Sequence, residues 1–309
     1  MNTQAPIIDR RSLLLGTSAY LFAAVFWGMN VPMTAGLFRY FDPFFMIPLR
    51  IGIGTVLLAA ITVALHGPAS MRLGTSLPRL ALMTLAMSSF FTLYNVGLKY
   101  TNPITAAAIM AGSPVYAALT MRLFGRAPLE PGFWGGATLT LLGGGIAIYG
   151  RASGTGEGLS LQGGEPMIII GFVCWTLYSI YSQRWFDPQV PQLQRTYAAS
   201  LGALVWLVIS WGVMRLLGIA GPAEFSTEPE AIGLLLATAL LSSSLAIVAW
   251  NIGVSRVGLL AGMLWQNTVP VFAVLIAMLF GIIPTVEQVV GGATVTAGVL
   301  YMQWRKFRG

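Results

Sequence analysis

The sequence predicts an all-α integral membrane protein: ten transmembrane helices arranged as two inverted five-helix repeats around a central cavity. Three observations carry this. Long apolar runs recur through the chain, with charged residues at only 9% against about 25% in ordinary globular domains. Basic residues fall between those runs with a strong side bias. The second half also repeats residues of the first in the same order.

A helix needs roughly 20 apolar residues to cross the hydrocarbon core. Ten segments qualify, at 13–38, 44–65, 77–98, 103–124, 132–150, 166–185, 195–218, 230–252, 259–280 and 285–304. Their starts are marked by a polar residue before proline: Asp42-Pro43, Asn102-Pro103, Glu130-Pro131, Glu165-Pro166 and Glu228-Pro229. Proline suits a first helical turn because its missing N–H has no intrahelical partner there. The apolar run behind Arg10-Arg11 continues to Phe38, too long for a signal peptide, so it reads as a retained first helix.

With a cytoplasmic N-terminus, 12 of the 17 Lys and Arg residues fall on the cytoplasmic side. Arg39, Arg50, Lys99, Arg151 and Arg215 fall on the other. The positive-inside rule then puts both termini in the cytoplasm, which requires an even number of spans. The net charge of +7 is thus a topology signal, and no nucleic-acid partner is expected. One cysteine, Cys174, and one histidine, His66, exclude a disulfide and a Cys/His metal cluster. No cofactor or metal is expected. A hydrolase is disfavoured as well, since no G-x-S-x-G or H-E-x-x-H motif is present.

Gly135-Gly136-Ala137-Thr138-Leu139-Thr140 returns 156 residues later as Gly291-Gly292-Ala293-Thr294-Val295-Thr296. At that offset Asn95-Val96-Gly97 matches Asn251-Ile252-Gly253, Pro114 matches Pro270, Phe124-Gly125 matches Phe280-Gly281 and Pro128 matches Pro284. Towards the start of each half Trp27 matches Trp175 and Arg50 matches Arg195. Five spans per half is an odd number, so the second half enters from the opposite side, the inverted plan of secondary transporters. The organisation is a cytoplasmic N-terminus at 1–12, a first repeat at 13–150, a Gly-rich non-cytoplasmic linker at 151–164, a second repeat at 165–304 and a basic cytoplasmic tail at 305–309.

Such a plan places a small-molecule site at the midplane beside interrupted helices. Pro114 and Pro270 mark the breaks, because proline cannot donate to the carbonyl four residues earlier. The polar residues near that depth are the candidate binding set: Trp27, Asn30, Tyr94, Asn95, Met110, Ser113, Trp175, Tyr178, Ser244, Trp265, Gln266 and Asn267. Each has a plainer structural role open to it. Serines bond back to their own helix, Asn95 and Asn251 cap or bridge helices, and end-positioned Tyr and Trp join interfacial belts. Arg50 and Lys99 either snorkel to the interface or pair with a substrate carboxylate. Aromatic, amide and hydroxyl groups suit an amphipathic neutral or zwitterionic ligand. No Asp or Glu sits mid-span, so passive movement without a dedicated proton carrier is expected.

Trp27-Gly28-Met29-Asn30, Cys174-Trp175-Thr176-Leu177-Tyr178, Tyr94 to Thr101, Ala106 to Pro114 and the paired Phe-Gly and Gly-Gly stretches resemble the drug/metabolite transporter superfamily. The resemblance is to its ten-helix EamA-type exporters, and most of all to the aromatic amino acid and metabolite exporters called YddG. It implies export of amino acids and related compounds from the cytoplasm through a central cavity by alternating access. It also implies the inner membrane of a bacterium as location, and the bilayer and a small-molecule substrate as partners. Many relatives carry Gly-Glu where this chain has Gly125-Arg126 and Gly281-Ile282, which removes any role for those acids. A channel-like facilitator and a carrier of another metabolite or drug class are the alternatives. With both halves in one chain, a monomer suffices as the working unit.

Overall fold

The structure is a computed structural model that describes residues 10–101, 103–125, 129–155, 161–279 and 283–308. The first nine residues, Asn102, Arg126, Pro128, the middle of the linker and the Phe280-Gly281-Ile282 stretch lie outside the described residues. Every described element is helical. The helices are α1 (Arg10–Leu37), α2 (Met46–His66), α3 (Leu77–Lys99), α4 (Pro103–Ala111), α5 (Ser113–Thr120), α6 (Phe133–Thr155), α7 (Glu165–Trp185), α8 (Gln192–Leu216), α9 (Pro229–Ala237), α10 (Ala246–Val257), α11 (Leu259–Gln266), α12 (Val269–Leu279) and α13 (Val286–Arg308). Wide π-turns follow α5 at Met121–Gly125 and join α9 to α10 at Thr238–Leu245.

Each of the ten expected segments therefore carries helix, two of them as broken pairs. Seven helical stretches are long and apolar enough to cross a membrane, with α9–α10 (Pro229–Val257) and α11–α12 (Leu259–Ile276) counted as one each, or eight if α4 and α5, bent by 46°, form one span. The 23-residue helices α6 and α13 fall outside that group. Glycine and threonine dilute the first, and Glu287 and Gln288 the start of the second. α6 runs on to Thr155, beyond the expected end at 150. α13 runs to Arg308, through residues of the expected basic tail. Lys306 explains that extension. Its ammonium is enclosed, pairs with the Glu130 carboxylate and donates to Val257 O at 2.5 Å.

Helix starts follow the proline rule: α3, α5, α7 and α9 each carry proline in the first two positions. Glu165 opens α7 and accepts from the Gln162 and Gly163 N–H groups and from Thr101 Oγ1, so its charge satisfies donors at the helix start. α10 ends at Gly258, which has φ 105° and lies against the Glu130 carboxylate. Only glycine meets both conditions.

The helices pack through small residues. On α6 and α13, Gly136 faces Gly298 and Gly143 faces Gly291, so residue numbers rise on one helix as they fall on the other. A Cβ on Gly143 would lie 2.5 Å from Gly291 O and 2.6 Å from Val295 N. α3 and α7 are antiparallel too, with Gly97 on Ile168 and Phe90 on Trp175. So are α1 and α10, with Gly16 on Val257 and Tyr20 on Gly253. Close backbone approach through glycine is how membrane helices gain contact where lipid removes the hydrophobic drive between them. The main apolar core gathers Tyr20, Ile47, Ile51, Trp175, Tyr178, Trp250, Met263 and Leu264, with Trp27 and Phe90 against its rim.

Candidate functional site

Three groups of side chains stand out where α1, α3, α7, α10 and the broken helices converge. The first is aromatic. Helical spacing puts Phe172, Trp175 and Tyr178 on one face of α7, three residues apart, and Phe90 and Tyr94 on one face of α3. The Trp175 ring lies 6.1 Å from Trp27, 5.7 Å from Trp250, 5.1 Å from Phe90 and 5.3 Å from Tyr178. Trp27 and Trp250 are 5.5 Å apart, closing the cluster. These separations suit edge and tilted aromatic packing.

Hydrogen bonds from neighbouring helices fix two of the rings. The π-turn between α9 and α10 leaves Ser242 O to accept from Trp27 Nε1 at 3.1 Å, while Ser242 Oγ donates to Phe26 O at 3.0 Å. A π-turn shifts carbonyls off the regular ladder, and such turns occur often at functional sites. Tyr178 is held from behind. Asn251 Nδ2 donates to Tyr178 Oη at 3.1 Å and to Thr196 Oγ1 at 3.0 Å, joining α10, α7 and α8. Trp250 Nε1 donates to Ser179 Oγ at 3.3 Å. Trp175 Nε1, by contrast, is enclosed without a partner.

The second group joins the two helix breaks. α4 stops at Ala111, and α11 stops at Gln266. Asn267 Nδ2 donates to Ala111 O at 3.0 Å, across 156 residues, the repeat offset itself. Ser113 Oγ donates to Asn267 Oδ1 at 3.3 Å. The chain re-forms beyond each break with short turns: Val115 N to Gly112 O, and Asn267 N and Thr268 N to Leu264 O and Trp265 O. Proline thus interrupts both helices, and an amide from one satisfies a carbonyl of the other. Beside this node Trp265 Nε1 and Gln266 Oε1 are enclosed with no partner. Pro114 is buried, while Pro270 is exposed. Tyr94 Oη donates to Met110 Sδ at 3.0 Å, linking α3 to the break.

The third group is Arg50, Asn30 and Thr34. Arg50 Nη2 donates to Asn30 Oδ1 at 2.6 Å and Nη1 to Thr34 Oγ1 at 3.1 Å. Arg50 therefore turns inward onto α1 and does not snorkel.

Other candidates have local roles. Asn95 donates to Phe91 O on its own helix, and Ser244 to Ala239 O. Lys99 is exposed, donates to Ile219 O at 3.0 Å and lies over the Phe44 ring, away from the cluster. Ser113, Trp175, Tyr178, Trp265 and Asn267 are covered; Trp27, Asn30, Arg50, Tyr94, Met110 and Gln266 are half-buried. A hollow of about 520 Å³ lies elsewhere, among Ser12, Gln192, Ile252 and Arg256 at the ends of α1, α8 and α10. Another, of about 440 Å³, is an apolar groove between α12 and α13. The candidate rings pack on one another, and Trp175 and Tyr178 are fully covered.

Phe90, Phe172, Trp250 and Thr34 complete these groups without having been in the candidate set. Thr34 was within reach, four residues after Asn30 on the same face. Phe90 and Phe172 offered only apolar character. No group of three or more His, Cys, Asp or Glu that could hold a metal occurs among the described residues.

The EamA-like transporter family matches the chain over residues 14–149 and 162–304, on either side of the Gly-rich segment. Two proteins of Bacillus subtilis (strain 168) are similar along nearly their whole length. The uncharacterized transporter YyaM is 28% identical over 290 residues, covering 93% of this chain and 91% of that protein. The uncharacterized transporter YrdR is 22% identical over 311 residues, covering 95% and 92%. A solved crystal structure superposes with a TM-score of 0.77 at 20% identity, covering 96% of this chain and 98% of its own, so the fold is shared. With the apolar helices, the matches over both stretches identify a multi-pass membrane transporter, and the chain belongs to the EamA-like transporter family.

Proposed function

We propose that this transporter exports small amphipathic metabolites, amino acids with aromatic side chains among them, by alternating access. The observation that carries the reading is the joining of an aromatic box, Trp27, Trp175 and Trp250, to two helices broken at equivalent positions and tied by Asn267. Stacking rings hold an aromatic body. The orphan Trp175 and Trp265 N–H groups and the Gln266 carbonyl supply orienting hydrogen bonds. This is the chemistry expected of the YddG-like exporters that the chain resembles.

The same reading takes α6 and α13 as further spans, giving ten helices in two inverted repeats. In its support, family similarity lies on both sides of the linker, and α6 runs antiparallel to its repeat equivalent α13. The α3–α7 packing is also mirrored by that of α10 with α1. Both termini then face the cytoplasm of a bacterial inner membrane, and one chain is the working unit. Movement follows the substrate gradient without a proton relay, since the described acids lie at helix starts or in loops.

Uptake of phenylalanine, tryptophan, threonine and a sugar phosphate into liposomes holding the purified protein tests this. Saturable transport of the amino acids, weakened in Gln266→Ala, is expected. Ohmic single-channel current would replace the carrier with a channel, and transport of the sugar phosphate alone would remove the substrate class.

A further inference from the structure

Arg50 and Arg195 hold equivalent positions in the two halves, each following an Asp-Pro pair, Asp42-Pro43 and Asp187-Pro188, at the same spacing. Their side chains do different things. Arg195 folds back on its own loop: Nε donates to Val190 O at 2.8 Å, and Nη2 to Asp187 O at 2.9 Å and Pro188 O at 3.0 Å. Arg50 leaves its loop and turns to two neutral acceptors on α1, Asn30 and Thr34. Its Nε is enclosed and has no partner. Asp42, the nearest acid in the chain, is committed to the N–H groups of Phe44, Phe45 and Gly221. No described carboxylate pairs with Arg50.

A guanidinium held in a membrane span by two neutral contacts is costly, and it still has N–H donors to offer. A carboxylate is its natural complement, since the planar fork matches both oxygens. The location suits a ligand with a ring. Asn30 is three residues from Trp27, about 4.5 Å along the helix. Ile47 and Ile51, flanking Arg50, belong to the apolar cluster that holds Trp175 and Trp250. The cluster offers a cation for a carboxylate and no acid for an ammonium.

We propose that Arg50, steadied by Asn30 and Thr34, reads the substrate carboxylate, so that the substrate class is the aromatic monocarboxylates, with or without an amino group. This rests on the aromatic-substrate reading above and narrows it. An anion moves one charge, so a membrane potential negative inside drives it outward, whereas a zwitterion does not respond.

The probes are 3-phenyllactate, phenylalanine and 2-phenylethylamine, which share a ring and differ in carboxylate and amine. In proteoliposomes with a potassium diffusion potential of about 60 mV, positive inside, 3-phenyllactate is expected to accumulate about tenfold and phenylalanine not at all. 2-Phenylethylamine should not compete with either. Arg50→Lys should raise KM about tenfold for both carboxylates. Asn30→Ala should raise it several-fold and serves if Arg50 variants fail to fold. Carriage of phenylalanine without 3-phenyllactate, or competition by 2-phenylethylamine as strong as by phenylalanine, overturns the proposal and leaves the amino acid reading standing. Transport of no aromatic probe removes both.

Discussion

Asn267 shows how one side chain joins two halves of a chain. Its amide accepts from Ser113 and donates to Ala111 O, so Asn267→Ala leaves a half-buried carbonyl and a buried hydroxyl without these partners. The expected loss is about 1–3 kcal/mol of stability, read as a lower melting temperature of the detergent-solubilised protein. Transport should fall by more than that loss explains, because the link sits at the break. Asn251→Leu should be at least as destabilising, since it uncouples Tyr178 and Thr196 on two other helices. At this scale much was legible. Proline, tryptophan and amide residues inside apolar runs are rare enough to mark themselves: Trp27, Trp175 and Tyr178 do converge, and Asn267 joins the two helix breaks. Phe90 and Phe172 were illegible because an apolar ring in a membrane helix is the ordinary choice, and only packing tells a box-forming ring from a lipid-facing one.

Among the elements, the α6–α13 seam makes the sharpest contrast. Gly143 has no room for a Cβ, whereas Gly145 meets nothing within 4 Å. Gly143→Val should destabilise by about 1–3 kcal/mol or more, and Gly145→Ala should leave the melting temperature unchanged or slightly raised. Equal effects would mean that the two helices do not meet through this face. Three consecutive glycines in the sequence do not announce which one touches a partner. The π-turn at Thr238–Leu245 was equally hidden, because Ser242, Ser243 and Ser244 are compatible with a regular helix. Its trace is the Trp27 indole on Ser242 O, a contact between residues 215 apart.

For the whole molecule, the buried contact of Glu130 with Lys306 clamps the start of α6 to the end of α13 and to the α10–α11 junction. Burial pushes the Glu130 carboxyl up from its ordinary range, against the pull of the Lys306 ammonium. Removing the cation strands a carboxylate, while neutralising the acid removes the group that burial already disfavours. Lys306→Met should therefore destabilise more than Glu130→Gln, with the former costing about 3–5 kcal/mol near neutral pH. A carboxyl whose folded pKa is raised loses stability as pH rises through it. The Lys306→Met deficit should accordingly shrink as pH falls through the raised folded pKa of the carboxyl and grow again above it, measurable by thermal unfolding as a function of pH. Under the proposed alternating access, opening at these helix ends would part the same pair. A transmembrane pH step alone should drive no uphill accumulation of phenylalanine in liposomes; accumulation would show that a proton carrier exists.

The sequence alone determined that the chain is helical and membrane-embedded, where its helices start and where two of them break. Those features follow from hydropathy, from the missing N–H of proline and from the demand that each backbone group in lipid be satisfied within its own helix. Tertiary structure alone decided that Arg50 turns onto Asn30 while Arg195 caps its loop, that Asn267 reaches Ala111, and which glycines touch. Each is a contact between distant segments, set by helix rotation and approach, and helix periodicity leaves both undetermined until neighbouring helices pack.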